Sequence, residues 1–307
     1  MRRSYKMKKK NLYRVLSILC TTVVLLGSGM SVKADRVDEE LNKPFVSLGN
    51  DLRPEDRQVV LGLLGVTEED LQQYEVDTVT NQEEHEYLGS FLSADVIGTK
   101  ALSSVKVVGK EAGNGIKVTT QNITYCTTGM YQNALATAGI KDADITVVGP
   151  FNISGTAALV GTIKAYEAMT GEAVSKENLD IANNELVLTG EVAENVGDTE
   201  KAEQLMALVK EEVLENNITS KEDIQNVIDK AAKELDIQLS EEDQEQISTF
   251  MGKLDDLDLD VETIKNQAKD LYDKLGELDI NLDTEKVGSF FTRIIDTIVE
   301  FFRNLFN

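Results

Sequence analysis

The chain has 307 residues, with 31 Lys and Arg against 54 Asp and Glu, a formal charge of -23, two Cys, one His and no Trp. With 41% hydrophobic and 28% charged residues it can bury at least one core, so it is neither disordered nor collagen-like nor polytopic, and its length suggests two domains. The acidic balance argues against nucleic acid or an anionic membrane as the main electrostatic partner, because both recruit clustered Lys and Arg.

The early charge is all positive. Arg2, Arg3, Lys6, Lys8, Lys9, Lys10 and Arg14 precede a mainly apolar, uncharged run from Val15 to Leu26, and Val32-Lys33-Ala34 forms a small-residue cleavage pattern. This predicts a signal peptide over residues 1–34, cleaved after Ala34, and hence a secreted or cell-envelope protein. The competing reading, an uncleaved anchor from about Leu12, must accommodate Arg14, Ser17, Thr21 and Thr22 in the bilayer. A lipid-modified Cys20 would follow Leu19 rather than a small residue. Cleavage removes eight bases and no acid, leaving 23 bases against 54 acids, a charge of -31. It also leaves Cys126 as the single Cys, so no disulfide within one mature chain is expected. There is no Leu-Pro-x-Thr-Gly sorting motif.

Residues 35–43 read as an acidic linker and 44–197 as an α+β domain. Phe45 to Leu48 reads as a strand, Pro54 to Leu64 as a helix with Pro in its first turn, and Val76 to Thr80 as a second strand. Asn81 is placed to cap a helix whose first turn is Gln82-Glu83-Glu84. Ser104 to Lys110, the turn Gly113-Asn114-Gly115 and Ile116 to Thr124 predict a central antiparallel hairpin. A helix over about Thr128 to Ala138, a strand over Asp144 to Val148 and helices from Ala157 to Met169 and from Ser175 to about Val196 complete a mixed sheet with packed helices. Because the hairpin must be antiparallel, the pattern fits α+β better than a doubly wound parallel fold.

Residues 198–286 read as an acidic helical module. From Glu200 to Asn307 there are 27 acids and 12 bases. Leu214-Glu-Asn-Asn-Ile218, Leu235-Asp-Ile-Gln-Leu239, Leu257-Asp-Leu-Asp-Val261 and Leu278-Asp-Ile-Asn-Leu282 begin 21, 22 and 21 residues apart, each ending one helix and starting the next. Ser240-x-x-Asp243 resembles a capping box. Units this short bury their apolar stripes by stacking, as a small antiparallel bundle or solenoid. Residues 287–307 read as an amphipathic helix: Phe290, Phe291, Ile294, Ile298, Phe301, Phe302 and Leu305 share a broad apolar face, with Arg293, Asp296, Glu300 and Arg303 opposite. That face packs on the bundle, binds a protein partner or a second copy, or meets the membrane interface, the last disfavoured by the lack of a Lys-rich polar face.

Three phrases carry a resemblance: Thr80-Asn81-Gln82-Glu83-Glu84-His85-Glu86-Tyr87-Leu88-Gly89, Met130-Tyr131-Gln132-Asn133-Ala134-Leu135, and Pro150-Phe151-Asn152-Ile153-Ser154-Gly155-Thr156-Ala157-Ala158-Leu159. They resemble the YpuA-like family of exported proteins of Gram-positive bacteria. The resemblance implies export, an envelope or extracellular setting and a shared fold. The family's function is unassigned, so no catalytic residue carries over.

No catalytic constellation stands out. His85, the single His, lacks the i, i+4 partner of a helical zinc site, and no Gly-x-Ser-x-Gly elbow accompanies it. Cys126, just before a helix, is either a buried structural thiol or a nucleophile that uses His85 as base. Ser154, Gly155 and Thr156 precede a helix and are either caps or an anion site of backbone amides. Asp256-x-Asp258-x-Asp260 resembles the start of a calcium loop, but Val261 and Gln267 stand where Gly and a bidentate Glu belong, so a solvated turn and weak calcium binding are the two readings. No other cofactor is expected. These observations favour a non-catalytic exported protein with a binding or structural role. Its alternative is a secreted hydrolase using carboxylates near Gly149 to Thr156, which requires a concave pocket there.

Overall fold

The computed structural model describes residues 43–257 and 259–277. The signal segment, the Leu278–Leu282 repeat and the amphipathic face over Phe290, Phe291, Ile294, Ile298, Phe301, Phe302 and Leu305 lie outside these residues.

The fold class is the expected α+β. Strand β1 (Phe45–Gly49) leads into helix α1 (Pro54–Leu64), where Pro54 opens the first turn and Gly65, at φ 63°, terminates the last. The chain returns as β2 (Glu75–Val79), parallel to β1. Two short helices follow, α2 (Asn81–Leu88) and α3 (Ala94–Ile97), then β3 (Ser104–Gly109), β4 (Ile116–Ile123), α4 (Thr128–Thr137) and β5 (Ala143–Ile153). The strands lie in the order β2-β1-β3-β5-β4. Two parallel β-α-β units, β1-α1-β2 and β4-α4-β5, are thus joined by β3, which is antiparallel to both its neighbours.

One expectation is corrected here. β3 and β4 do run in opposite directions, yet they are not hydrogen-bonded to each other, because β5 lies between them. The reason lies in the two sequences. β5 sends Ile145 and Val147 to one face and Val148 to the other, all buried, and is satisfied only with a partner on each edge. β4 buries Ile116 and Val118 while Lys117 and Thr119 are exposed, the alternation of a half-covered edge strand. The Gly113-Asn114-Gly115 segment does not close a tight hairpin. The amides of Gly113 and Gly115 both donate to Asp142 Oδ1 at 2.9 Å, which pins the loop to the start of β5.

Both sheet faces are covered. Val46, Leu48 and Val148 meet Val60, Leu61 and Leu64 of α1 in a small core. On the other face Phe45, Val105, Val107, Ile145 and Val147 meet α4 and α5 (Thr156–Thr170), which supply Met130, Leu135, Leu159 and Ile163. Helix α5 lies across β1, β2 and β3. It comes so close that a Cβ on Gly161 would stand 2.7 Å from Ser47 Oγ.

Helix α6 (Lys176–Val196) belongs to two cores: Leu186 faces the sheet side, and Leu188 and Val192 face the helical stack. That stack continues through α7 (Thr199–Glu215), α8 (Lys221–Glu234) and α9 (Glu241–Met251), consecutive helices touching, and α10 (Val261–Glu277) returns against α7. The repeat seen in sequence has a structural identity. Asn217 and Asp236 adopt φ 50° and 51°, and the next amides, Ile218 and Ile237, bond back to Val213 and Ala232, so two helices end in the same left-handed motif with Asn or Asp in place of Gly. Each following helix starts at a Ser whose hydroxyl accepts from the amide three residues on: Ser220 from Asp223, and Ser240, in the expected capping box, from Asp243.

Candidate functional site

Helix α2 begins with a reciprocal capping box between Thr80 and Glu83, so Thr80 rather than Asn81 is the cap. This start sets the helix rotation. Glu83 turns outward to Lys164, at 2.7 Å, and Glu84, one residue on, turns into the protein, where it is only 1% exposed. The nearby start of α5 is unusual because Gly155 occupies the cap position at φ 101° and no side chain caps the helix. The expectation that Ser154 or Thr156 caps it is therefore corrected. Their hydroxyls point elsewhere: Thr156 Oγ1 donates to Glu84 Oε1 at 2.7 Å, and Ser154 Oγ lies 3.2 Å from Thr156 Oγ1. Asn81 Nδ2 donates to Glu84 Oε2 at 3.1 Å. A residue with a Cβ would collide at position 155, 2.7 Å from Ile123 Cγ2, so the loop geometry requires glycine.

Above this buried carboxyl lies a concave cleft of about 400 Å³. One part of its wall is Thr124, Tyr125, Ile153, Ser154 and Thr156; a second is Asp95 to Lys100 with Leu102 and Ser103, and Glu84 completes the lining. Burial raises the Glu84 carboxyl above the ordinary range, opposed by its hydrogen bonds from Thr156 and Asn81. Ser103 Oγ accepts from the Ala158 amide at 2.9 Å, tying the second wall to the first turn of α5.

The remaining sequence candidates divide around this cleft. His85 is exposed, and its Nε2 lies 3.3 Å from the carbonyl oxygen of Gly98. Cys126 is completely buried, and burial pushes its thiol up to about 12, so it is held as a neutral thiol. The two are not brought together as nucleophile and base. Asp260 forms an ion pair with Lys141 at 2.6 Å and accepts from the Thr263 amide at 3.0 Å, which engages both its oxygens; Asp258, the middle residue of the calcium-loop motif, lies outside the described residues. Among the described residues no group of three or more His, Cys, Asp or Glu is placed to hold a metal, and no helix is long and apolar enough to cross a membrane.

In the sequence Glu84 stands out only beside Glu83, His85 and Glu86 as a poorly spaced metal candidate, and a second buried polar cluster does not stand out at all. In that cluster Lys210 of α7 and Glu185 of α6 are both 0% exposed, with Nζ 2.8 Å from Oε1. Lys210 Nζ also donates to the Asn133 carbonyl and the Thr137 hydroxyl, each at 3.1 Å, and Thr137 donates to Glu185. Gln267 of α10 donates to Asn133 Oδ1. Burial pushes Glu185 up and Lys210 down, each opposed by its partner's charge. The sequence signal is slight: Lys210 directly follows the apolar run Leu205 to Val209 of α7, on a helix that also buries Glu203 and Gln204.

The family described as "Protein of unknown function (DUF1002)" matches residues 48–271. The uncharacterized protein YpuA of Bacillus subtilis (strain 168) is 39% identical over 293 residues, covering 94% of this chain and 98% of that protein. No solved structure matches.

Proposed function

The chain belongs to the DUF1002 family, and from that premise we propose that it is an exported, non-catalytic protein that holds a small ligand in the cleft over Glu84. The observation that carries this reading is the 400 Å³ concavity built where two separate sequence blocks converge, with the buried carboxyl of Glu84 in its lining. Clefts of this size, part apolar and with a few convergent polar groups, are where small ligands bind. Binding rather than turnover is favoured because Cys126 and His85 are kept apart from each other and from activation. Export rests on the basic start and the apolar run before Ala34.

The test uses the mature chain from Asp35. Small-molecule fragments are screened by ligand-observed NMR against it and against Thr99→Trp, which fills the cleft from an exposed position. Hits that vanish in the variant support the reading; hits indifferent to the variant overturn it. Export is checked by the N-terminal sequence of the protein recovered from medium and wall, expected to begin at Asp35. Recovery solely inside the cell with residues 1–34 attached would overturn that part.

A second reading, a secreted hydrolase, is favoured by one observation: Glu84, pushed up by burial, shares its cleft with the exposed carboxylate of Asp95, the pairing of acid and carboxylate used in glycoside cleavage. It expects bound ligands to be converted. Recovery of unaltered ligand after prolonged incubation rules it out.

A further inference from the structure

A groove separate from the Glu84 cleft runs between two helices of the stack. Along α6, Glu177, Ile181, Asn184, Val187, Glu191 and Glu194 recur at spacings of three and four, so they share one face of the helix. On α9, Glu242, Gln246 and Thr249 do the same, and Lys253 follows just past its end. These faces line three concavities, of about 560, 290 and 330 Å³, which join into one groove because neighbours share residues. Lys253 lines the first and second; Glu191 and Gln246 line the second and third. The two helices run in opposite directions, and at one end Asn195 Nδ2 clasps them by donating to Asp243 Oδ1 at 2.8 Å. From Glu177 to Asn195, at 1.5 Å per residue, the groove is about 27 Å long.

The walls select the kind of occupant. Mid-helix backbone groups are already bonded within α6 and α9, so the groove offers no ladder to an extended strand, whereas a helix satisfies its own backbone. Ile181, Val187, Leu188 and Phe250 supply an apolar part of the lining. Five carboxylates, Glu177, Asp180, Glu191, Glu194 and Glu242, line it without an ion-pair partner among the described residues, while Glu245 is taken by Lys221. The charge is graded along the groove. Lys176 and Lys253 accompany Glu177 and Asp180, but the lining around Glu191, Glu194 and Glu242 contains no Lys or Arg.

We propose that the groove between α6 and α9 docks a basic amphipathic helix of a partner protein, about five turns long, with its apolar stripe on Ile181, Val187 and Phe250 and its Lys and Arg concentrated at Glu191, Glu194 and Glu242. This surface is independent of the Glu84 cleft. The chain's own residues 287–307 match it poorly in charge, because Asp296 and Glu300 offset Arg293 and Arg303.

The test follows fluorescence anisotropy of labelled peptides of about 18 residues added to the mature chain at about 0.15 M salt, where only short-range charge contacts survive. One peptide carries a Leu stripe at helical spacing with Lys in one half; a second has Glu in place of Lys; a third scrambles the first; a fourth is residues 287–307. The first is expected to bind, and the acidic and scrambled peptides to bind at least about tenfold more weakly. Glu191→Lys, Glu194→Lys and Glu242→Lys combined should weaken the first peptide about tenfold or more, and Val187→Gln should weaken it by making the lining polar. Glu69→Lys, Glu75→Lys and Glu111→Lys combined change the net charge equally at exposed positions of the sheet-bearing half and should leave binding unchanged. Equal weakening by both triple variants would reveal attraction to the acidic surface at large and overturn the proposal. So would equal binding of the scrambled or acidic peptide, or no binding of the first. Tighter, groove-dependent binding of the 287–307 peptide would make the chain's own residues the occupant and overturn the assignment to a partner. Melting curves verify that each variant is folded before titration.

Discussion

Lys210 Nζ sits 2.8 Å from Glu185 Oε1 with both side chains completely withdrawn from water, so the sheet-bearing half of the chain and the helical stack meet across a dry ion pair. Desolvating two charges is expensive, and the pair persists because Asn133 and Thr137 supply the remaining hydrogen bonds.

Removing one partner strands the other. Lys210→Met is expected to destabilise the protein by about 3–5 kcal/mol, and the double variant Lys210→Met with Glu185→Leu to regain most of that loss. Urea unfolding of wild type, both single variants and the double variant checks this. A double variant as unstable as either single variant would show that the cluster's worth lies outside the charge pair.

Stability should fall as the solution becomes alkaline. Burial, helped by repulsion from Glu215, raises Glu211 to about 8 and Glu212 to about 7, and Oε1 of each lacks a hydrogen-bond partner among the described residues. Each acid binds its proton more tightly folded than unfolded. The associated stability is therefore fully present below about pH 4.5, the ordinary Glu value, and is lost as pH rises through 7 and then 8. Melting temperature followed from pH 5 to 9 should decline over that window, and Glu211→Gln with Glu212→Gln should flatten the decline. An unchanged slope in the double variant would refute the assignment.

Gly155→Ala combines a φ of 101° with a Cβ that would stand 2.7 Å from Ile123 and 3.2 Å from the Tyr131 hydroxyl. A loss of at least about 1–3 kcal/mol is expected from the backbone alone. Calorimetry of the variant measures it, and a melting temperature equal to wild type would contradict the loop geometry.

Cys126 should be inert in the folded state. Its thiol is completely buried and raised to about 12, so an aromatic disulfide reagent at pH 8 is expected to label it only as fast as the protein opens. Labelling in native buffer at the rate seen in urea would overturn this.

Much of the fold could be read locally. The capping box at Ser240, the proline start of α1 and the glycine ends of α1 and α6 are written in residues a few positions apart, because helix termination depends on nearby backbone groups. The same locality misled at β3 and β4. Gly113-Asn114-Gly115 between two alternating runs has the composition of a hairpin turn, and nothing within that window reveals that β5 takes the place between the strands.

The sequence by itself determined the class of the fold, the order of its elements, the helical repeat and the family likeness. Each depends on periodicity and composition, which any stretch of chain carries with it. Only the tertiary structure decided which strands pair, where Lys210 finds Glu185, and that Glu84 meets Thr156 from 72 residues away. Those outcomes depend on how large apolar faces are buried together. That burial brings distant polar groups to the same place, with no local pattern to announce it.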